Sequence, residues 1–412
     1  MSLLPIDEAL ALIAASAPLL EIEDVPPADA LGRTLAAPVV AAGDLPPFDN
    51  SAVDGYAICS ADFAQPDAEI GAALRVRGAV TAGGAAAPPL APGETVRVMT
   101  GGRVPDGADA VVMREEVTET DGVAVFWSGA PAGANIRRRG LEIRAGELAC
   151  DAGTLVNPGA LGLLVSLGVA RVSVRRRPRV AILATGDELL EPSAAPRHGH
   201  IYDSSTPILS ALVASAGAIP VPLPLARDDR DELAQRFRDG LEHDVFVTTG
   251  GVSVGDHDFT KEILAQLGVT IRFWKVAMKP GKPLVYGERG ATRVFGLPGN
   301  PGSSLATFER FVRPALRKMV GDPAWAPREA DAILDAPCDA PGNRAWFLRA
   351  HATIRDGALH ALPLAAQGSG TLRSLADCNA FIILSAGSPP RVAGARVRVQ
   401  LLPEIYGVLS GG

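Results

Sequence analysis

Lysine is scarce in this 412-residue sequence: of 39 basic residues, only five are lysine. Four of the five lie in one short segment, at positions 261, 275, 279 and 282. Just upstream, residues 244–256 read as an apolar strand that runs into a glycine-rich loop. Backbone N–H groups of such loops bind anions, and lysine adds a compact counter-charge. This segment therefore predicts a pocket for phosphate or another tetrahedral oxyanion, the alternative being that lysine clusters here by chance.

Aromatic residues, cysteines and long apolar runs are also few. Aromatics make up 5% of the chain, so its cores must consist mostly of Ala, Val and Leu. The four cysteines, at 59, 150, 338 and 378, form no CxxC pair, which excludes a zinc site or a dense disulfide framework by spacing. The first residues lack the charge pattern of a signal peptide, and the longest apolar run is too broken to span a bilayer. With a net charge of −7, we expect a cytoplasmic protein that binds neither nucleic acid nor membrane.

The residue composition and hydrophobic pattern change several times along the chain. Residues 6–17 read as an amphipathic helix, and Asn157-Pro158 predicts a helix over 158–167. Short Val-rich runs between about 48 and 145 indicate a small β domain, and residues 328–412 indicate a second one. Between them, from 179 to 320, buried strands alternate with helices, which predicts a doubly wound parallel sheet.

Each strand of this α/β segment ends in an unusual loop: Thr-Gly-Asp-Glu, Thr-Thr-Gly-Gly and Leu-Pro-Gly-Asn-Pro. Ligands bind outside the carboxyl ends of such strands. Asp187 and Glu188 follow the first strand directly, and Mg²⁺ is held by one or two carboxylates plus substrate phosphates. Acids beside a basic anion pocket therefore indicate metal-assisted phosphate chemistry, although an Asp at a loop–helix junction also serves as a helix cap.

Lys275 and Lys279 would share one face if their segment were extended, because a strand has a period of two. Both could then approach one anion. The alternative is a solvated edge strand that lysine protects from aggregation. The rigid Pro-Gly-Lys-Pro turn that follows favours the functional interpretation.

Three further polar blocks lie at residues 47–56, 98–102 and 135–142. Each alone is more typical of turn chemistry or a solvated charge run than of a site. The chain has no GxSxG elbow or Cys/His pairing, which argues against nucleophilic acyl chemistry. Its glycine loop fits neither GxxxxGK[ST] nor GxGxxG, so ATPase and dinucleotide-binding functions are not indicated.

Together and in this order, the blocks closely resemble the MoeA family of molybdopterin molybdenumtransferases, to which the E domain of gephyrin is related. The matching segments are PFDNSAVDGYA (47–57), VRVMTGGRVPDGADAVVM (96–113), NIRRRGLEIRAGE (135–147), ATGDEL (184–189), IYDSS (201–205), TTGGVSVGDHDFTKEIL (248–264), FWKVAMKPGKPL (273–284) and GLPGNPGSS (296–304). Joint occurrence makes the match specific, whereas the region after 328 matches weakly.

The resemblance implies a homodimer whose subunit has four regions: a linker and dimerisation region (1–46 with 146–177), a β domain (47–145), a molybdopterin-binding α/β domain (178–327) and a C-terminal β barrel (328–412). It implies Mg²⁺-dependent insertion of molybdenum from molybdate into adenylylated molybdopterin, with release of AMP. It further implies an active site between subunits. A molybdopterin adenylyltransferase and molybdoenzyme-maturation proteins are expected partners.

The resemblance also assigns roles to residues. Asp54 and Thr100 would approach the site from the partner subunit, and Lys275 and Lys279 would neutralise molybdate or the pyrophosphate bridge. The other residues are implied in substrate, phosphate or Mg²⁺ binding: Asp187, Glu188, Asp228, Gly250, Gly251, Ser253, Asp258, Pro298, Pro301, Arg349 and Ser369. Arg137 and Glu142 belong to the arginine block, where relatives often carry Asp at the position of Glu142.

Three other functions stay open at this point. One is adenylyl transfer, because a similar α/β domain occurs in molybdopterin adenylyltransferases, although the β domains and the DNSAVDGYA block argue against it. Another is a scaffold or carrier that binds molybdopterin without turnover. The last is selectivity for tungstate, which is tetrahedral and nearly equal in size to molybdate.

Overall fold

A computed structural model describes residues 3–63, 72–85, 87–251 and 259–403. The chain folds into two compact units. The larger unit comprises Met1–Asp24, Gly32–Ala36 and Ser173–Gly412, and the smaller unit comprises Val25–Leu31 and Ala37–Val172. This division does not test the finer boundaries expected from the sequence, which stay a prediction. No helix within the described ranges is long and apolar enough to cross a membrane.

A six-stranded sheet forms the core of the smaller unit. Its strands are, in spatial order, Ala110–Met113, Gly55–Ile58, Glu94–Val98, Ala73–Val80, Val123–Phe126 and Val117–Thr120. The third and fourth strands of this order pair in parallel, and the other neighbours are antiparallel. Two short antiparallel pairs also lie in this unit, Asn50–Ser51 with Ile136–Arg137 and Val39–Val40 with Leu148–Cys150. The Val-rich runs thus form β-structure, as predicted.

A second six-stranded sheet lies in the larger unit. Its spatial order is Ile219–Pro222, Arg179–Ala184, Val245–Thr249, Thr292–Leu297, Pro283–Arg289 and Thr270–Lys275. The first four strands pair in parallel, whereas Pro283–Arg289 pairs antiparallel with both of its neighbours. The sheet is therefore mixed, and the expectation of a wholly parallel one is wrong at this edge. The reason is that residues 276–282 are too short for the crossover that parallel neighbours need.

Alternate residues of the parallel strands pack into two different cores. Val180 and Ile182 lie in one core with helices Ile6–Ser16 and Ser205–Ser215. Ala181 lies in the other core, which is covered by helix Arg230–Gly240. Side chains alternate across a strand, so each face of the sheet buries its own helices. The carboxyl edge of the strands is left for loops.

A third sheet forms from the last described residues of the larger unit. Strands Ala345–Arg355, Ala358–Pro363, Glu329–Leu334, Arg396–Leu401 and Ala380–Leu384 pair in this order, and the last of them pairs back with the first. The five strands thus close into a ring around an apolar interior. Met278–Lys279 joins this ring as a parallel edge strand beside Ala345 and Trp346. The short strands Leu189–Leu190 and Ile201–Tyr202 pair with each other elsewhere in the unit.

The remaining elements are mostly helical. The α-helices are Ile6–Ser16, Pro158–Ser166, Ser205–Ser215, Arg230–Gly240, Phe259–Gln266, Pro301–Thr307, Arg313–Met319 and Arg373–Ala376, the 3₁₀ helices are Pro27–Ala30, Ser60–Phe63 and Arg114–Glu116, and the strands not given above are Ile22–Val25 and Val172–Arg175. Asn157 caps its helix by accepting a hydrogen bond from Ala160 N–H over 2.9 Å, as the Asn-Pro pair predicts. A π-helical turn, Phe308–Val312, joins the helices on either side of it.

Candidate functional site

Three loops follow neighbouring parallel strands of the larger unit, after residues 184, 249 and 297. Thr185 N–H donates to the carbonyl oxygen of Thr249 over 2.9 Å. A Cβ atom at Gly250 would lie 2.7 Å from Thr185 Oγ1, and one at Gly299 would lie 3.5 Å from Gly250 Cα. The backbones of the three loops are therefore in direct contact at the carboxyl edge of the sheet.

The glycine loop begins with two positions at which a side chain would be strained and would clash with neighbouring atoms. Gly250 and Gly251 have φ values of 92° and 61°, a region that favours glycine. A Cβ atom at Gly251 would also lie 2.9 Å from Thr260 Oγ1. The loop therefore presents backbone groups to its surroundings. The predicted residues Ser253 and Asp258 lie outside the described residues.

Pro298 is fixed by hydroxyl groups. Thr249 Oγ1 donates to the Pro298 carbonyl oxygen over 3.0 Å, and Ser304 Oγ donates to the same oxygen. Pro298 and Ser304 are buried, and Pro301 begins the helix in between. The hydroxyls thus connect the glycine loop, the Pro298 loop and the first turn of the helix, which holds Pro298 in place.

Arg349 is the largest fully buried side chain of the described residues and is 2% exposed. Its Nη2 donates to the carbonyl oxygens of Ala366 and Gly368, over 2.9 and 2.8 Å. Its Nε and Nη1 have no hydrogen-bond partner among the described residues. Burial lowers the pKa of this guanidinium below its ordinary value. A buried cation with unused donors favours an anionic ligand, because an uncompensated buried charge is costly.

Gly302 brings the helix at Pro301 against Arg349. Its N–H donates to the carbonyl oxygen of Ser369 over 2.8 Å. A Cβ atom at Gly302 would lie 2.8 Å from that oxygen and still closer to Arg349 Nη1. The predicted residues Pro301, Arg349 and Ser369 therefore meet in one place. We call these three residues and Gly302 the Arg349 cluster.

The acidic loop follows the first of the three strands. Asp187 Oδ1 accepts a hydrogen bond from Asp228 N–H over 3.2 Å, which brings together two of the predicted acids. A Cβ atom at Gly186 would lie 2.5 Å from Glu188 Oε2, so this carboxylate folds back over the glycine. Within the described ranges, no three His, Cys, Asp or Glu side chains form a group that could hold a metal ion. The expected set of Asp187, Glu188 and Asp258 is not tested, since Asp258 lies outside those ranges.

The two predicted lysines belong to different sheets. Lys275 ends strand Thr270–Lys275, and Lys279 ends the edge strand Met278–Lys279 of the closed ring. The expectation that one extended segment presents both on the same face is therefore wrong. The reason is that the chain leaves the first strand at Val276, whose N–H donates to Lys282 O over 3.0 Å, before Met278 pairs with Ala345.

A second candidate site lies in the smaller unit. Asp54 Oδ1 accepts hydrogen bonds from Thr100 N–H and from Thr100 Oγ1, over 2.7 and 2.8 Å. The backbone N–H of Thr100 is the main reason that the pKa of Asp54 lies below its ordinary value, and the hydroxyl adds to it. Ser51 and Gly101 fix this contact, because Gly101 N–H donates to Ser51 O over 2.8 Å. Two hydrogen bonds therefore join Asp54 and Thr100, whereas their approach to the site of a partner subunit stays a prediction.

The arginine block is attached to the same segment. Arg137 lies opposite Asn50 in the short antiparallel pair. Asp49 accepts from Arg138 Nη1 and from Arg139 N–H, each over 2.7 Å. Arg137 thus lies opposite a residue that precedes Asp54 by four positions, and its own side chain is exposed. Glu142 is also exposed, and its N–H donates to Leu45 O over 2.9 Å.

Gly302 and Trp346 were not predicted as site residues. A glycine directly after the proline that begins a helix is a usable signal, because glycine is unfavourable there unless a neighbour requires it. Trp346 gives no such signal, since its position beside Lys279 depends on the pairing of two strands that are far apart in sequence.

Comparison with known proteins gives consistent matches over the whole chain. Three family models match: "MoeA N-terminal region (domain I and II)" at residues 4–168, "Probable molybdopterin binding domain" at 181–318 and "MoeA C-terminal region (domain IV)" at 331–402. A molybdopterin molybdenumtransferase of Bacillus subtilis is 36% identical over 410 residues, 98% of this chain and 95% of the relative. One of Haemophilus influenzae is 34% identical, over 92% of this chain and 93% of the relative. A solved structure, the molybdopterin biosynthesis MoeA protein of Pyrococcus horikoshii OT3, matches with a TM-score of 0.80 and 31% identity over 97% of this chain and 100% of that one.

Proposed function

The chain belongs to the MoeA family and is a molybdopterin molybdenumtransferase of molybdenum cofactor biosynthesis; we propose that it transfers molybdenum from molybdate into adenylylated molybdopterin and releases AMP. In this reaction the two dithiolene sulfurs displace one oxygen of molybdate, which leaves as water with the two thiol protons. A water molecule cleaves the phosphoanhydride bond and gives AMP and the phosphate of molybdopterin. The protein positions molybdate, the dithiolene and the phosphoanhydride close together and offsets their negative charge.

The observation that carries this proposal is the Arg349 cluster. Arg349 keeps two donor nitrogens without a partner in the described part of the chain, although it is almost fully buried. A tetrahedral oxyanion offers the acceptors that these donors need, and a guanidinium matches two oxygens at once. We therefore assign molybdate to the space beside Arg349, Gly302 and Ser369.

The glycine loop is assigned to the phosphates of the nucleotide. Gly250 and Gly251 take positive φ values and cannot carry a side chain without a clash, so a phosphate can approach the backbone closely. We assign the rest of this role to Ser253. We assign Pro298 and Pro301 to the floor between this loop and the Arg349 cluster: the hydroxyls of Thr249 and Ser304 hold the Pro298 carbonyl, and Pro301 begins the helix that carries Ser304.

The acidic loop suits a hard cation. Asp187 and Glu188 are exposed carboxylates on one turn, and Asp228 adjoins them through its backbone. Asp187 and Glu188 would hold Mg²⁺ together with substrate phosphates, with Asp258 as a further candidate, and the ion would supply counter-charge for the breaking phosphoanhydride. Lys275 and Lys279 are assigned to the same anionic groups.

We also propose a homodimer in which Asp54 and Thr100 of one subunit act at the anion site of its partner, with Arg137 and Glu142 beside them. Apolar residues exposed on the smaller unit support an interface: Val40 and Leu148, which lie opposite each other, are 53% and 52% exposed, and Val165 is 60% exposed. A largely apolar helix such as Pro158–Ser166 is normally covered. Light scattering at several protein concentrations tests the dimer, and a monomeric Val165→Glu variant with intact secondary structure would support this surface.

The decisive test is AMP release from adenylylated molybdopterin and Mg²⁺, with and without molybdate. We expect molybdate-dependent release, whereas tight binding without release would indicate a carrier and tungstate-dependent release a different metal preference. Arg349→Met should lower molybdate-dependent AMP release at least about tenfold, since each lost charge-assisted hydrogen bond costs about 1.5–3 kcal/mol. The fold should survive, because an apolar side chain of similar size leaves no buried charge unpaired.

A further inference from the structure

Lys279 lies on the ring of Trp346. Its Nζ is 4.0 Å from the ring centroid, closer than Lys261 to Trp274 at 5.4 Å or Lys318 to Trp325 at 5.1 Å. The contact follows from strand pairing, because Lys279 and Trp346 are partners in register in two parallel strands. Their side chains therefore leave the strands on the same side.

That side is opposite to Arg349. Along strand Ala345–Arg355, Phe347 packs into the core that holds helix Ile6–Ser16, whereas Leu348 packs into the interior of the closed ring. Trp346 also packs against the apolar interior of the closed ring of strands. Because the period of a strand is two, Arg349 shares the face of Phe347, and Trp346 lies on the other face. The ammonium group of Lys279 thus points away from the guanidinium with which it would share an anion.

The partner of this ammonium is an aromatic ring and not a carboxylate. All ion pairs that the described residues form with one another have an arginine or His360 as the cation, and none has a lysine. A carboxylate would neutralise the lysine and repel an incoming anion. The partly buried Trp346 ring holds the ammonium by a cation–π attraction and leaves its full charge available.

We propose that Trp346 is a seat for Lys279: the ammonium lies on the ring, and it leaves the ring when a tetrahedral oxyanion binds at the Arg349 cluster. This inference rests on the proposed function, because it takes the Arg349 cluster as the anion site. Trp346 is then a positioning residue, which acts on the anion only through Lys279.

Tryptophan emission tests the movement directly. We expect sodium molybdate, titrated into the full chain, to change the emission of the unmodified protein and of the control Trp325→Phe. Trp346→Phe and Lys279→Met should lose this change, because one removes the reporter and the other removes the ammonium. An unmodified protein that binds molybdate without a change in emission, or a change that persists in Trp346→Phe, would overturn the proposal.

The affinity for molybdate tests whether the Trp346 ring competes with the anion for Lys279. Because the ring competes with the anion for the ammonium, Trp346→Leu should lower the half-saturating molybdate concentration by about two- to fivefold. Trp346→Phe keeps a ring and should lie between that variant and the unmodified protein, and Trp325→Leu should change nothing. Unchanged or weaker binding by a folded Trp346→Leu would refute the seat. If that variant does not fold, the emission of Trp346→Phe alone decides. Absence of molybdate-dependent AMP release from the unmodified protein would instead refute the proposed function.

Discussion

Gly302→Ala tests how tightly the helix at Pro301 is packed against Arg349. Gly302 has no positive φ, so alanine meets no backbone strain there and improves helix propensity by about 1 kcal/mol. The new Cβ, however, would lie 2.8 Å from the backbone oxygen of Ser369 and closer still to Arg349 Nη1. Overpacking of a buried contact costs about 1–3 kcal/mol. We therefore expect a net destabilisation of about 1 kcal/mol.

Gly162→Ala is the matched control. Gly162 also lies inside a helix, and a Cβ there would have no neighbour within 4 Å. Only the propensity gain applies, so this helix should become more stable by up to about 1 kcal/mol. The two substitutions are chemically identical and should differ by about 2 kcal/mol in opposite directions. Hydrogen exchange of each helix measures the local opening free energy and avoids treating two units as one transition.

The same substitution should also weaken oxyanion binding. Movement of Arg349 Nη1 by a few tenths of an ångström disturbs a charge-assisted hydrogen bond that is worth about 1.5–3 kcal/mol when well formed. Half-saturating molybdate in the AMP-release assay should rise by about tenfold in Gly302→Ala and not in Gly162→Ala. If Gly302→Ala is stabilised as much as the control and binds molybdate normally, the close packing of the Arg349 cluster is refuted.

Other predictions concern charges. Thr100→Val removes the hydroxyl donor to Asp54 but keeps the backbone donor, so the pKa of Asp54, measured by NMR, should rise towards its ordinary value without reaching it; an unchanged pKa would contradict the assignment. Burial opposes ionisation of Asp244, but hydrogen bonds from Arg176 hold its pKa below the ordinary value. A depressed folded-state pKa contributes stability that is present above the unfolded value of about 3.9 and is lost as the pH falls through the folded value. Asp244→Asn should therefore cost about 2–3 kcal/mol in the urea unfolding of the larger unit at pH 7 and much less in strong acid, and an equal cost at both pH values would refute the charge as the cause. Glu188→Gln should raise the Mg²⁺ concentration needed for AMP release, and excess EDTA should stop release in the unmodified protein; release that is indifferent to both would remove Glu188 from the metal site.

Local signals predicted the helices well. The pair Asn157-Pro158 predicted the helix Pro158–Ser166, and the apolar spacing after Pro5 predicted Ile6–Ser16. Capping and periodicity depend on residues within one or two turns, so the sequence alone displays them. The π-helical turn Phe308–Val312 was not predicted, because nothing within a few residues of it distinguishes it from the α-helix on either side.

Non-local pairing was harder to predict. Strand Ile219–Pro222 contains two prolines, which mask a strand pattern, and it is tolerated because it lies at the edge of the sheet. The separation of Lys275 from Lys279 depends on the pairing of Met278 with Ala345, which lies 67 residues away along the chain. The Arg349 cluster likewise joins residues from three segments. The resemblance named most of its members, but spacing alone gave no reason to place them together.

The Arg349 cluster also shows how a site can be found from buried hydrogen-bond donors that have no partner among the described residues. The resemblance named Arg349, whereas burial and two donors without partners among the described residues give it a physical role. Asp54 and Thr100 differ in this respect, because they satisfy each other. Their function cannot be read from an unmet hydrogen bond and depends on the proposed dimer.

The two units are interleaved along the chain, and this has a consequence for synthesis. Helix Ile6–Ser16 belongs to the larger unit, where Ile13 shares a core with Leu316 and Leu20 N–H donates to Met319 O over 2.9 Å. Residues 37–172 of the smaller unit emerge from the ribosome in between. At about 5–20 residues per second, the first helix waits about 15–60 s for its partners, while the smaller unit is already complete. Helix Ile6–Ser16 is therefore among the last elements to be buried, and a nascent chain halted once the whole smaller unit has left the ribosome should protect that unit from protease while this helix is cut.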